Sequence, residues 1–76
     1  MDVNEMICQI LEAINADEKE ITAEKLEVDE TMFRYSCELI EGNNLAVGID
    51  CQYFEVDFSN AKVTSKGEKY LRQKSI

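Results

Sequence analysis

The segment from Val28 to Ile49, with the sequence VDETMFRYSCELIEGNNLAVGI, constrains the fold more than any other part of the chain. Asp29 is a good helix cap, and Glu30 places negative charge in the first turn, where the helix dipole favours it. Apolar residues then recur at four- and three-residue spacing on one face of the predicted helix: Phe33, Cys37 and Ile40. The segment therefore begins with a capped, amphipathic helix.

A polar stop and a strand follow this helix. Gly42-Asn43-Asn44 predicts the helix end, because Gly and Asn tolerate the left-handed conformation that a C-terminal cap needs. The next apolar residues alternate as they do in a half-buried strand: Leu45, Val47 and Ile49. A helix that leads directly into a hairpin suggests a winged helix.

The first helix is predicted from about Asp2 to Ala16. Its apolar residues form a continuous stripe at helical spacing: Val3, Met6, Ile7, Ile10, Leu11 and Ile14. The simplest interpretation is that this stripe is the core-facing side of the helix.

A charged connector leads to a short second helix. Ile21 is the lone apolar residue after the connector and could start a very short strand. Thr22 is a candidate cap for a helix from Ala23 to Glu27. Val28-Asp29 then turns the chain into the central helix, and two helices joined by so tight a turn form a helix-turn-helix unit.

The remaining chain predicts a hairpin wing and a final helix. After a turn at residues 50–52, Tyr53 to Phe58 alternates as a second strand. Thr64 caps the last helix, and Gly67 in its first turn predicts close packing against a neighbour. The expected core consists of Ile7, Ile10, Leu11, Ile14, Phe33, Cys37, Ile40, Leu45, Val47, Val56, Tyr70 and Leu71.

The chain has 76 residues and predicts a single domain over residues 1–76. Its net charge of −8 is unevenly distributed. Residues 1–60 hold fifteen acids and three bases, a net −12, whereas residues 61–76 hold five bases and one acid, a net +4. An acidic chain repels nucleic acid at long range. With no long apolar run and no basic, apolar leader, the sequence predicts a cytoplasmic protein without membrane contact.

The cysteines and the missing histidines limit the chemistry. The chain has an odd number of cysteines, Cys8, Cys37 and Cys51, and no two of them are at C-x-x-C spacing. We therefore expect free, reduced thiols. Without histidine, three scattered thiols do not supply a zinc site, and no Cys-His or Ser-His pair can form. The three glycines are isolated and make no phosphate-binding loop. The sequence predicts no metal, no cofactor and no enzyme activity.

The closing segment VTSKGEKYL, residues 63–71, is similar to the LTxxGxxYL end of many small bacterial winged-helix proteins. The central helix has the pattern E-x-x-F-x-x-x-C-x-x-I, and the strand after it has L-x-V-G-I. Together these motifs resemble the YjcQ-like family, found in Gram-positive bacteria and their phages, over nearly the whole chain. The resemblance implies an α+β winged-helix fold and little chemistry.

Three surfaces are candidates for function. A winged helix reads DNA with the outward face of its central helix, where Arg34 is the one good contact and Glu38 and Glu41 oppose phosphate; a solvated acidic face is the alternative. Met32, Tyr35 and Leu39 form a second apolar stripe on this helix, either a protein interface or a widened core face. The basic residues Lys62, Lys66 and Lys69 could touch nucleic acid or an acidic partner, or be simply solvated.

These features favour a non-catalytic accessory or regulatory module that acts through protein contact, including contact between two copies of the chain. The alternative is a DNA-binding transcriptional regulator. The two differ in salt dependence, which is steep for DNA and shallow for an apolar protein interface.

Overall fold

The computed structural model of the chain describes residues 2–18, 20–51 and 56–74. These residues form the following elements: α1 (Val3–Asn15), α2 (Ala23–Leu26), α3 (Glu30–Gly42), β1 (Ala46–Val47), β2 (Lys62–Val63) and α4 (Ser65–Lys74). β1 and β2 pair antiparallel, with Ala46 opposite Val63 and Val47 opposite Lys62. Three helices, a two-stranded hairpin and a closing helix make an α+β winged helix, as predicted.

Polar side chains start each helix. The side-chain oxygens of Asp2, Thr22 and Asp29 accept hydrogen bonds from the backbone N–H three residues later, at 2.8, 3.0 and 3.1 Å. Thr64 likewise accepts from the N–H of Gly67 at 3.1 Å. Each bond satisfies a backbone donor that the first helical turn leaves unpaired. The predicted caps at Thr22, Asp29 and Thr64 are confirmed.

Left-handed residues end α2 and the turn after α3. Glu27 has φ of 57°, and the N–H of Val28 returns to the carbonyl of Ala23 at 3.0 Å, which closes the tight turn into α3. Asn44 has φ of 58°, and the N–H of Leu45 bonds to the carbonyl of Ile40 at 2.9 Å. The stop predicted at residues 42–44 is confirmed, with Asn44 as its left-handed residue.

The core lies where α1 packs against α3, β2 and α4. Its buried apolar side chains are Met6, Ile7, Ile10, Leu11, Ile14, Ile21, Phe33, Cys37, Ile40, Leu45, Ala46, Ile49 and Phe58. Ile21 is buried but does not start a strand, which corrects that prediction. Ser36 is also fully buried, and its hydroxyl is satisfied because it donates to the Met32 carbonyl one turn earlier at 2.8 Å.

The wing differs from the predicted hairpin. Residues 53–55 of the predicted second strand lie outside the described residues, and β1 pairs with β2 instead. Asp50 was predicted to lie in the turn at residues 50–52 but instead pairs with Asp57, and the two residues exchange backbone hydrogen bonds of 3.0 and 2.9 Å. Two residues separate Val47 from Asp50, whereas four separate Asp57 from Lys62. The two extra residues on the second arm are accommodated by a turn at residues 58–61. This turn changes which residues of the two arms face each other between the Asp50–Asp57 bridge and the β1–β2 pairing.

Val47 was predicted to be buried and is instead 52% exposed. The strand places Ala46 inward, and Val47 therefore faces solvent opposite Lys62. Gly48, with φ of +80°, then breaks the alternation and returns Ile49 to the core. A Cβ on Gly48 would lie 2.8 Å from the carbonyl carbon of Asn60, so the returning arm packs directly on this glycine.

Val56, Tyr70 and Leu71 were expected to be mainly buried and are half-buried against the core cluster. Tyr70 keeps its hydroxyl at the surface, where it donates to the Oδ1 atom of Asn4 at 3.0 Å. A tyrosine at the edge of a small core commonly packs its ring against apolar neighbours and leaves its hydroxyl exposed to solvent.

Candidate interaction surfaces on the third helix and the wing

The apolar stripe of α3 combines one exposed and two half-buried side chains. Tyr35 is 51% exposed, whereas Met32 and Leu39 are half-buried and pack against the core cluster. Met32 and Leu39 therefore widen the core face of the helix, which is one of the two interpretations that the sequence left open. Tyr35 remains as an aromatic side chain that faces outward from the helix.

Arg34 lies at the contact between α3 and the first arm of the wing. Its Nη1 atom donates to the Cys51 carbonyl oxygen at 2.9 Å, and the side chain is half-buried. The side chain that the sequence offers as the best DNA contact thus holds the wing against the helix. The neighbouring Glu38 and Glu41 are exposed, so the outward face of α3 is acidic.

The thiols beside this contact are poor nucleophiles. Burial raises the pKa of Cys37 from the ordinary 9.0 to about 12, with a smaller upward contribution from Cys51. Burial also raises the pKa of Cys51 to about 11, helped by the charge of Glu41. Cys8 and Cys51 are half-buried, Cys37 is buried, and none of the three forms a disulfide. The prediction that the cysteines make no disulfide framework is confirmed.

The basic side chains lie on other elements. Lys62 is exposed on β2, and Lys66 and Lys69 are exposed on α4. α4 packs on α1 and on β2. The lysines are therefore carried by elements other than α3, whose outward face is acidic. The Nη2 atom of Arg72 lies 4.0 Å from Oε2 of Glu68, one turn earlier in the helix. Exposed ion pairs of this kind contribute little to stability.

An open groove runs between the starts of α2 and α3 and the wing. Its volume is about 850 Å³. The apolar side chains lining it are Ile21, Ala23, Val28, Phe33, Val56 and Phe58, and the charged ones are Glu20, Glu24, Glu30, Arg34, Asp50 and Asp57. No short pattern in the sequence indicates this groove, because its walls come from three separated stretches of the chain. Of the charged residues on its rim, Glu30 and Arg34 were singled out in the sequence, but as features of α3 and not of a groove.

Asp50 and Asp57 stand directly opposite each other on the two arms of the wing. Like charges on opposed strand residues are an unfavourable arrangement. The N–H of Ser59 donates to Oδ1 of Asp57 at 2.9 Å, and this bond lowers the pKa of that carboxyl. Asp57 is therefore ionised at neutral pH and contributes to the negative potential of the groove.

Two other kinds of site are absent from the described ranges 2–18, 20–51 and 56–74. There, no group of three or more cysteine or carboxylate side chains is arranged to hold a metal ion. No helix in that part of the chain is long and apolar enough to cross a membrane.

The comparison with protein families gives a clear result. A family model described as YjcQ protein matches residues 4–76, nearly the whole chain. The chain belongs to the YjcQ family. The resemblance noted from the closing segment and the central helix is thereby confirmed for this YjcQ chain. No curated protein and no solved structure matches it significantly.

Membership of the YjcQ family and the winged-helix fold are compatible with a small regulatory module. Neither the match nor the fold assigns a substrate, a partner or a DNA site, since one fold hosts many functions. Any functional conclusion must therefore come from the surfaces described above.

Proposed function

We propose that this YjcQ chain is a non-catalytic winged-helix module, accessory or regulatory in role, that acts through protein contact. We further propose that a second copy of the chain is a partner for its α3 stripe. The observation that carries the proposal is the exposed ring of Tyr35 on the outward face of α3. Tyrosine is enriched in protein interfaces because it supplies a large contact area with little conformational freedom to lose.

The electrostatics of α3 support protein contact over DNA contact. In a DNA-binding winged helix the outward face of this helix meets the major groove. Here that face presents Glu38 and Glu41, and Arg34 is bonded to the wing. Carboxylates near phosphate repel it, whereas a protein interface needs no net positive charge.

DNA binding remains the second candidate, because the fold is one that DNA-binding proteins use and the chain has a basic surface. Lys62, Lys66 and Lys69 are exposed and would supply phosphate contacts. They would have to act from β2 and α4, at the flank of the acidic helix. Such contacts would position the protein on DNA without reading its sequence.

Sedimentation of the wild type and two variants across a concentration series tests the proposal. Tyr35→Ala removes the exposed ring, and Val47→Ala is the matched control, since both side chains are about half exposed (51% and 52%) but only Tyr35 lies in the stripe. We expect the wild type to dimerise, Tyr35→Ala to weaken the dimer by about tenfold or more, and Val47→Ala to leave it unchanged. A wild type that stays monomeric, or equal effects of both variants, would contradict self-association through the stripe.

A further inference from the structure

The groove between α2, α3 and the wing has an apolar floor. Ile21, Phe33 and Phe58 are each 4% exposed and form its base, and the rings of Phe33 and Phe58 are 6.2 Å apart in a tilted arrangement. Val28 and Val56 are half-buried at its sides. An apolar side chain entering the groove would therefore meet aromatic and aliphatic groups, which is the usual character of a recognition pocket.

The rim of the groove is strongly acidic. Among the described lining residues five are carboxylates and one is a guanidinium, which gives a formal charge of −4. Glu20, Glu24 and Glu30 are exposed on the helical side, and Asp50 and Asp57 face each other on the wing. The guanidinium of Arg34 donates to the Cys51 carbonyl, so it is committed to the base of the wing. A concave site of one sign concentrates ions of the opposite sign.

We propose that this groove binds a cationic peptide segment of a partner protein, with an aliphatic or aromatic side chain of that segment anchored on the floor. The lysines or arginines of the segment pair with the rim, and the anchor fills the space above Phe33 and Phe58. The inference rests on the proposal that the chain acts through protein contact. It concerns a separate surface, however, because Met32, Tyr35 and Leu39 do not line the groove.

Charge complementarity decides the class of occupant. The rim repels nucleic acid and anionic lipid, and a cation without an apolar part would leave the floor unused. The basic residues 62–74 of a second copy would supply the charge, but Tyr70 and Leu71 pack against their own core and cannot serve as anchors. A segment from a different protein meets both requirements.

The test uses the full chain and three fluorescent probe peptides. The first contains lysines and leucines in a glycine-serine background, the second has serine in place of every leucine, and the third has glutamate in place of every lysine. We expect saturable binding of the first peptide alone, with amide NMR shifts centred on Ile21, Ala23 and Val28. Binding should weaken as salt rises, since exposed charges are screened over about 10 Å at 0.1 M.

Matched charge variants separate the groove from general acidity. Glu24→Gln with Glu30→Gln removes two rim charges, and Glu5→Gln with Glu12→Gln removes two exposed charges from α1. We expect the rim pair to weaken binding about fivefold to tenfold and the α1 pair to change it less than about twofold. Circular dichroism melts check that both variants fold.

Several results would overturn the proposal. Equal losses in the two charge variants, or equal binding of the serine peptide, would reduce it to nonspecific attraction. Shifts in the groove on simple concentration of the protein would assign the site to a second copy. Tyr35→Ala separates this inference from the proposed function: loss of peptide binding in that variant would move the contact to the α3 stripe, whereas unchanged binding supports a separate groove.

Discussion

Gly67 in the first turn of α4 lies directly against the carbonyl oxygen of Leu45, the residue that leads into β1. A Cβ built on Gly67 would overlap that oxygen and would lie 2.7 Å from Cγ1 of Val63. The Leu45 carbonyl also accepts the N–H of Thr64 at 3.0 Å, and the Thr64 hydroxyl donates to the Asn44 carbonyl. The start of α4 is thus fastened to the end of the α3 turn, and a side chain at Gly67 would separate them.

Gly67→Ala should therefore destabilise the protein by about 1–3 kcal/mol or more, the usual cost of overpacking. Gly42→Ala is the matched control, because Gly42 is also helical but nothing lies within 4 Å of its would-be Cβ. That substitution should be neutral or stabilise by up to about 1 kcal/mol, through helix propensity. Denaturant unfolding of both variants measures the difference; equal stabilities would show that α4 does not pack closely on Leu45.

Ile10 and Phe33 should each be essential for the core. Ile10 is fully buried and Phe33 is 4% exposed. Truncating either to alanine should cost about 2–5 kcal/mol, through lost burial and the cavity left behind. That loss is a large fraction of the stability of so small a domain. The free energy of unfolding is the measurement, with Val47→Ala as an exposed control, and a loss below about 1 kcal/mol for both core variants would mean that the faces are wrongly assigned.

All three thiols should be reduced, and Cys37 should react slowly with a disulfide reagent at pH 8. Its pKa of about 12 keeps the thiol neutral, and reaction requires the thiolate. Because the folded-state pKa is raised, this thiol stabilises the fold fully below about pH 9 and less as the pH approaches 12. Mass spectrometry of timed samples, with denatured protein as the control, measures the rate. Modification of Cys37 as fast as in denaturant, or an intramolecular disulfide, would contradict its burial.

Most of the helical architecture could be predicted from the sequence because its determinants are local. Caps such as Thr22 and Asp29 act within one turn, and the stripe on α1 depends only on helical spacing. The wing was harder, because strand phase depends on a partner. Alternation of large apolar residues placed Val47 inward, whereas pairing with β2 buries the small Ala46 instead.

The candidate surfaces show the same limit. The exposure of Tyr35 follows from helical spacing, because this residue lies away from the buried face formed by Phe33, Cys37 and Ile40. The bond from Arg34 to the Cys51 carbonyl joins residues seventeen apart, and the groove joins residues from α2, α3 and the wing. Such arrangements arise only when segments distant in sequence pack together, so no short sequence pattern predicts them.

A DNA titration across a salt series tests most directly the claim that this winged helix acts through protein contact. Nonspecific duplex binding at near-physiological salt should be weak, with a dissociation constant at or above about 10⁻⁴ M, the weak end of the usual range. The acidic face of α3 and the carboxylates of Asp50 and Asp57 oppose phosphate there. Micromolar binding that falls by orders of magnitude as salt rises, and that is lost in a folded Arg34→Ala variant, would contradict the account and establish DNA as the ligand.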